Sequence, residues 1–242
     1  MFARLRELAR CSSGGFGADA MAGAWRCNAS RFGRLMTLIL ASTSPRRRQI
    51  LGLLGLPFDI IAPPFEEILS PSLSIADEVR AFARGKAESV ARSHPSATVI
   101  GSDTMIALDD AKLGKPANLL DARRMLQALT GKSHRIYTAV TMIDRSKVVL
   151  DIVEEVSVKM APFSEKEIDM YLACNESLDK AGAYSIQGRG AALIESISGD
   201  YLAAVGLPLK PIADYLASRA IAFPLDVDRL YADKSFLNWQ NF

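Results

Sequence analysis

The stretch Thr37–Ala41 reads as a short β-strand that stops in Ser42-Thr43-Ser44-Pro45. A helix start follows at once. Ser44 can cap it, Pro45 suits its first position, and Ile50, Leu51, Leu53 and Leu54 supply an apolar face before Gly55 ends it. A strand running through a tight turn into a helix commits the chain to a fold that layers helices on a sheet. The same junction carries an electrostatic misfit. Arg46, Arg47 and Arg48 occupy the first turn, where the helix dipole already supplies about half a positive charge. Two readings answer it: a bound anion, held by free N–H groups, the Ser42 and Ser44 hydroxyls and forked guanidinium donors, or a solvated basic patch.

The rest of the chain extends this pattern. "LPFDIIAPP" reads as a second strand closed by Pro63 and Pro64, and Ser74 with Asp77 opens a helix to about Arg92. "ATVIG" (97–101) is a buried-type strand continuing toward Leu108. Asn118 caps a helix to Leu129, which Thr130-Gly131 ends. Extended segments follow near 134–144 and 147–160, then a capping box (Ser164, Glu167) for a helix to about Ala173. A glycine-punctuated stretch, "KAGAYSIQGRGAALIESISGDY", reads as a functional loop feeding a strand. "GLPLKPIADYLASRA" opens a final helix. Strands mixed with helices, without strict alternation, predict an α/β or mixed α+β fold with a mixed sheet.

Charge narrows the function. The net charge is +2, but residues 1–35 carry six arginines against Glu7 and Asp19, so the remainder is slightly acidic at −2. That body offers no basic footprint for nucleic acid. No apolar run approaches the roughly 20 residues that span a bilayer. The three cysteines lack metal-ligand spacing, and with two histidines a histidine-rich metal site is not expected. Residues 1–35 are Arg-, Ala- and Ser-rich and poor in acids. They read as a disordered extension or a misassigned start before Met36, with a mitochondrial transit peptide as the lesser option and the cytoplasm as the expected location.

Individual residues carry the chemistry. Lys86 interrupts the helical stripe of Val79, Phe82 and Val90, so it either snorkels or points into a pocket. Asp103 sits just beyond the apolar "TVIG", where a carboxylate can hold Mg²⁺, accept a proton or simply form a turn. Glu66 and Glu67 follow Pro63-Pro64-Phe65 and offer a second acidic ligand. Lys115 lies in the Gly-Pro turn "LGKP", and Gln187 among glycines in "YSIQGRG", with an amide suited to a base edge. Together these are the parts of a nucleotide site.

The segments "LILASTSPRRRQILGLLGLPFDIIAPPFEE", "VIGSDTMIALDDAKLGKP", "LTGKSHRIYTAV" and "DKAGAYSIQGRGA…GLPL" resemble the Maf family of nucleoside triphosphate pyrophosphatases, in order, from about Thr37 to Leu216. The resemblance implies an elongated two-lobed fold around a cleft, related to the ITP-pyrophosphatase group. It also implies a Mg²⁺- or Mn²⁺-dependent hydrolysis of a nucleoside triphosphate to monophosphate and pyrophosphate. By matching position it assigns the catalytic aspartate to Asp103, phosphate-binding and catalytic roles to Ser42, Arg46, Arg47, Lys86 and Lys115, and the acidic metal-associated position to Glu67. Arg46, Thr104 and Gln187 match the specificity positions of the family's dTTP/UTP branch. Met105-Ile106 and Asp200 depart from the family pattern. Residues 36–220 are thus expected to form the pyrophosphatase domain, with 221–242 a tail of no assigned role. The expected partner is a nucleoside triphosphate, with a homodimer allowed and neither nucleic acid nor membrane involved. A nucleotide-binding regulator without turnover is the alternative, and the presence of both carboxylates weighs against it.

Overall fold

The computed structural model describes residues 36–242, apart from Pro71 and Asp110. The expectations for residues 1–35 therefore lie outside the described residues. The chain forms β1 (Leu38–Ala41), α1 (Pro45–Gly52), β2 (Asp59–Ile60), α2 (Ile75–Ala91), β3 (Thr98–Leu108) and β4 (Ala111–Leu113). It continues through α3 (Leu119–Leu129), β5 (Ser133–Asp144), β6 (Lys147–Met160), α4 (Glu165–Leu172) and β7 (Ile194–Ser198). The helices α5 (Tyr201–Val205), α6 (Leu209–Ser218) and α7 (Val227–Ala232) complete it, with short 3₁₀ turns at Ala181–Ala183, Arg189–Leu193 and Trp239–Asn241.

The strands make one seven-stranded mixed sheet in the order β2-β1-β3-β5-β6-β7, with β4 added to β3. The short strands β1 and β2 are parallel to their neighbours, while β3, β5, β6 and β7 run antiparallel. The hairpin β5–β6 turns on Arg145-Ser146, both at positive φ (47° and 64°), the geometry a two-residue turn needs to match strand twist. Alternation along β1 and β3 sends side chains to two faces. Ile39, Ala41 and Val99 pack under α2 with Ala87 and Val90. Leu38, Leu40, Ile100 and Ile106 join the larger core with α1, α3, α5 and α6.

Helix starts follow their capping residues. Ser74 accepts from Asp77 N–H, Asn118 from Asp121 N–H, and Ser164 with Glu167 makes a full capping box. Helix α1 departs from expectation. Ser44 occupies the N-cap position without a side-chain cap bond, and its own N–H donates to Ser42 Oγ at 3.2 Å. The expected second strand shrinks to Asp59–Ile60, because "LPF" and "APP" place prolines on both sides of it. The last segment also does more than trail: Val227 and Leu230 of α7 and Trp239 are buried in the main core. Among the described residues no helix is long and apolar enough to cross a membrane.

Candidate active site

The sheet has a gap on one edge of β3. There β1 pairs with Thr98 through Gly101, and β4 pairs with Ile106 through Leu108. Residues 102–105 fall between them and are laddered only to β5 on the other side. The parallel pair ends at the register Ala41↔Gly101, so the chain leaving β1 as Ser42-Thr43-Ser44 departs beside this gap. Ligands gather outside the carboxyl ends of parallel strands for the same reason: backbone groups and helix starts point there. Asp103 is therefore not a strand-end residue as its sequence context suggested. It lies inside an eleven-residue strand, and it is reachable because its neighbour strand stops two residues earlier.

Glycine at position 101 sets how closely α2 approaches this strand. A Cβ there would stand 2.3 Å from the Ala83 carbonyl and 2.6 Å from Ala87 N. With that close approach, Lys86 of α2 lies over β3, 7% exposed, and its Nζ donates to Asp103 Oδ1 at 2.6 Å. Gly85 admits a second element in the same way, since the Phe65 ring occupies the space a Cβ would take, 2.2 Å away. Phe65 packs edge-on against Phe82. Two residues later Glu67 Oε1 reaches the same Lys86 Nζ at 2.5 Å. One ammonium thus sits between two carboxylates, one buried and one half exposed. Burial pushes the Asp103 carboxyl above its ordinary range, and the charges of Lys86 and Arg47 pull it back down.

The other face of the gap is arginine-lined. Arg47 Nε donates to the Gly206 carbonyl at 2.9 Å, Nη1 to Ser42 Oγ at 3.3 Å and Nη2 to Thr104 Oγ1 at 3.2 Å. Ser102 Oγ donates to the same Gly206 carbonyl at 3.1 Å. Thr138 Oγ1 lies 3.0 Å from Thr104 Oγ1 and 2.8 Å from the Ala203 carbonyl. Burial lowers the Arg47 pKa most strongly, with Asp103 and Glu67 opposing the shift. Arg46 is half-buried, its pKa likewise lowered by burial and raised by Asp179. Arg48 is exposed. The helix start itself remains open, with Ser44 making no side-chain cap bond.

Among the sequence candidates, two bonded groups form: Lys86 with Asp103 and Glu67, and Arg47 with Ser42 and Thr104. They meet where Asp103 and Thr104 are neighbours on β3, and the charge of Arg47 acts on Asp103. Gln187 is joined to α1, its Nε2 donating to Gln49 Oε1 at 3.3 Å. Lys115 is not drawn in: it is exposed in the turn after β4, and among the described residues it has no hydrogen bond or ion pair. Two residues escaped sequence reasoning. Glu78, fully buried, accepts from Ser70 N and Lys112 Nζ, both at 2.5 Å, tying the Glu67 loop to the β4 hairpin. Only its place in the first turn of α2 was visible, which reads as dipole complementarity. Gly206 acts through its carbonyl, which no side-chain pattern announces. Among the described residues no group of three or more His, Cys, Asp or Glu converges, so the protein's offer to a cation here is the carboxylate pair.

The chain is 44% identical over 171 residues to a dTTP/UTP pyrophosphatase of Bacillus cytotoxicus, covering 71% of this chain and 89% of that protein. It is 44% identical over 173 residues to the same-named protein of Bacillus anthracis, covering 72% and 90%. Similar solved structures include a HAM1 protein from Coxiella burnetii (16% identity, TM-score 0.38, covering 53% of this chain and 75% of that one). A nucleoside-triphosphatase / dITP/XTP pyrophosphatase from Mycobacterium abscessus is another (13%, TM-score 0.34, covering 52% and 73%). Residues 37–219 match the family described as Maf-like protein, and the chain belongs to that family.

Proposed function

We propose that this protein is a nucleoside triphosphate pyrophosphatase that converts dTTP or UTP to the monophosphate and pyrophosphate. The observation that carries the reading is the pairing of Lys86 with both Asp103 and Glu67 at the open edge of β3, opposite Arg47. That arrangement opposes an acidic pair and a cationic wall across one opening, as cleavage of a triphosphate chain requires. Names of relatives at 44% identity point to the same substrates.

The chemistry follows from the residues. A water oxygen attacks the α-phosphorus, the bond from that phosphorus to the α–β bridging oxygen breaks, and the electron pair leaves with pyrophosphate. Asp103 takes the water's proton on Oδ2, since Oδ1 is engaged by Lys86. Its upward-shifted pKa makes it a better base than an exposed aspartate. Arg47, fixed by Gly206, Ser42 and Thr104, faces the leaving pyrophosphate with Arg46 and the free N–H groups at the start of α1. Lys115 would join them only by reaching in from its turn. The Thr104 hydroxyl is occupied by Arg47 and Thr138. It holds Arg47 and keeps one hydrogen-bonding position for the substrate, while Gln187 is the amide that reads the pyrimidine edge. The oxygens not bonded to Lys86, Glu67 Oε2 and Asp103 Oδ2, would hold a hard divalent cation that takes few protein ligands and completes its shell with phosphate and water. With it bound, Asp103 would orient the attacking water instead of taking its proton. Bound there, Mg²⁺ or Mn²⁺ would supply charge neutralisation on the α-phosphate.

The test uses the protein with Mg²⁺ and a panel of dTTP, UTP, CTP, ITP and 7-methyl-GTP, scoring pyrophosphate separately from orthophosphate. Pyrophosphate release that Asp103→Asn abolishes supports the reading. Turnover of none of these nucleotides would sink it, and orthophosphate alone would place the attack at another phosphorus.

A further inference from the structure

Residues 220–242 lie beyond the family match, and the catalytic reading makes no use of them. They are nonetheless built into the molecule. Trp239 stacks on Tyr201 with ring centroids 5.1 Å apart and meets Tyr231 edge-on at 5.0 Å. From this anchored segment Asn238 reaches the loop that presents Gln187. Its Nδ2 donates to the Ile186 carbonyl at 3.0 Å and to the Gly188 carbonyl at 3.2 Å. Those are the two carbonyls on either side of Gln187. A second arm runs from Tyr231, whose hydroxyl donates to Asp200 Oδ2 at 2.9 Å. Asp200 caps α5 through Leu202 and Ala203 N–H, and α5 leads into Gly206, the acceptor for Arg47.

We propose that the C-terminal segment braces the nucleotide site, and that Asn238 is a positioning residue for base selectivity. This rests on Gln187 being the group that reads the base. The Gln187 loop is held on its N–H side by protein groups: Gly188 N donates to Ser185 Oγ at 3.1 Å and Arg189 N to Glu176 Oε2 at 2.9 Å. Asn238 fixes the carbonyl side. A base-reading amide discriminates only when its donor and acceptor are held in one orientation, because a loose amide adapts to the wrong base edge. Asparagine suits this place twice over. It supplies both N–H donors from one nitrogen, and it tolerates the left-handed backbone found there (φ 62°).

Three variants test the brace in the full-length protein with Mg²⁺. Asn238→Gly keeps the left-handed backbone and removes the amide. Asn238→Asp keeps the shape and turns an acceptor toward two carbonyls. Gln187→Ala removes the proposed reader. Steady-state kinetics with dTTP and dATP give the ratio of their kcat/KM values, which does not depend on the folded fraction. Asn238→Gly is expected to lower the dTTP preference about 5–20-fold, through KM for dTTP, with dATP little changed. Asn238→Asp should lower it at least as far, and Asn238→Gly should add nothing in the Gln187→Ala background. A purely structural role would slow both nucleotides equally and leave the ratio alone. If Gln187→Ala lowers the ratio while both Asn238 variants leave it within about twofold, the brace is overturned and the base reading stands. If Gln187→Ala leaves it unchanged, the base reading fails and the selectivity role of Asn238 fails with it.

Discussion

Replacing Gly101 by alanine adds one methyl group at the point where α2 rests on β3. Gly101 has ordinary extended backbone, outside the positive-φ group, so the effect is steric. In the unfolded chain alanine loses less entropy on folding, which by itself would stabilise by about 0.4–1 kcal/mol. Against this, the new Cβ meets the Ala83 carbonyl at 2.3 Å, Ala87 N at 2.6 Å and Ala87 Cβ at 2.8 Å. Carbon–oxygen contacts relax near 3.3 Å, so the helix must retreat by about 1 Å. Two of the three atoms are backbone and cannot rotate away. Overpacking of this kind costs about 1–3 kcal/mol, so the net loss lies between about 0 and 2.6 kcal/mol. Lys86 adjoins Ala87 and moves with it, which would stretch the 2.6 Å bond to Asp103 past hydrogen-bond range. A misplacement of about 1 Å at a reacting group costs on the order of 10²-fold in rate. Urea unfolding followed by circular dichroism, with pyrophosphate release from dTTP, measures both effects. Gly52→Ala is the control, since nothing lies within 4 Å of its added Cβ, and it should be neutral or stabilising. Pairing Gly101→Ala with Ala87→Gly should recover only part of the loss, because the Ala83 carbonyl remains in place. A Gly101→Ala protein that gains stability and keeps its rate within twofold would refute the close-approach reasoning.

Lys86→Met removes a charge that holds the Asp103 carboxyl down, leaving burial unopposed except by Arg47. The acid limb of kcat/KM against pH should therefore move to higher pH, while an unmoved limb would show that Asp103 is not the group titrating. Glu78→Gln should destabilise by about 1–3 kcal/mol by stripping partly buried Lys112 of its counter-charge. It should also raise the Mg²⁺ concentration needed for half-maximal rate, because a single amide oxygen cannot accept from both Ser70 N and Lys112 Nζ and the tie between the Glu67 loop and β4 is weakened. His134 is buried beside Tyr184, its Nε2 2.7 Å from the hydroxyl, and burial lowers its pKa from 6.5 to about 4. The unfolded chain thus binds a proton that the folded one refuses. Stability is fully present above about pH 6.5 and falls as pH drops toward 4, by about 3 kcal/mol in all. His134→Gln, which does not titrate, should flatten the dependence of the urea midpoint over that window.

Much of the fold was legible because its signals are local. Ser74, Asn118 and Ser164 cap the helices their spacing predicts, and the extended runs at 134–144 and 147–160 form the β5–β6 hairpin. A cap or a hairpin turn is decided within a few residues, so neighbouring sequence contains it. Chemical type was legible for the same reason: buried-stripe Lys86 and the carboxylates Asp103 and Glu67 stood out by residue kind. The relations between them were not. That Lys86 meets both acids depends on Gly85 and Gly101 letting Phe65 and β3 come close, and close approach is a property of two elements at once.

The sequence alone determined which groups exist and on which kind of element each one rides, because helix and strand periods are intrinsic to the chain. Only the tertiary structure decided where β1 stops relative to β3, and hence that Ser102–Met105 face an open edge. It decided that Arg47 bonds Gly206, Ser42 and Thr104, and that Lys115 stands in an exposed turn. It also decided that Asn238, fifty residues from Gly188, closes on the loop that presents Gln187. These outcomes rest on hydrogen bonds to backbone carbonyls at Gly206, Ile186 and Gly188. Every residue has such a carbonyl, so only the folded chain reveals which ones are used.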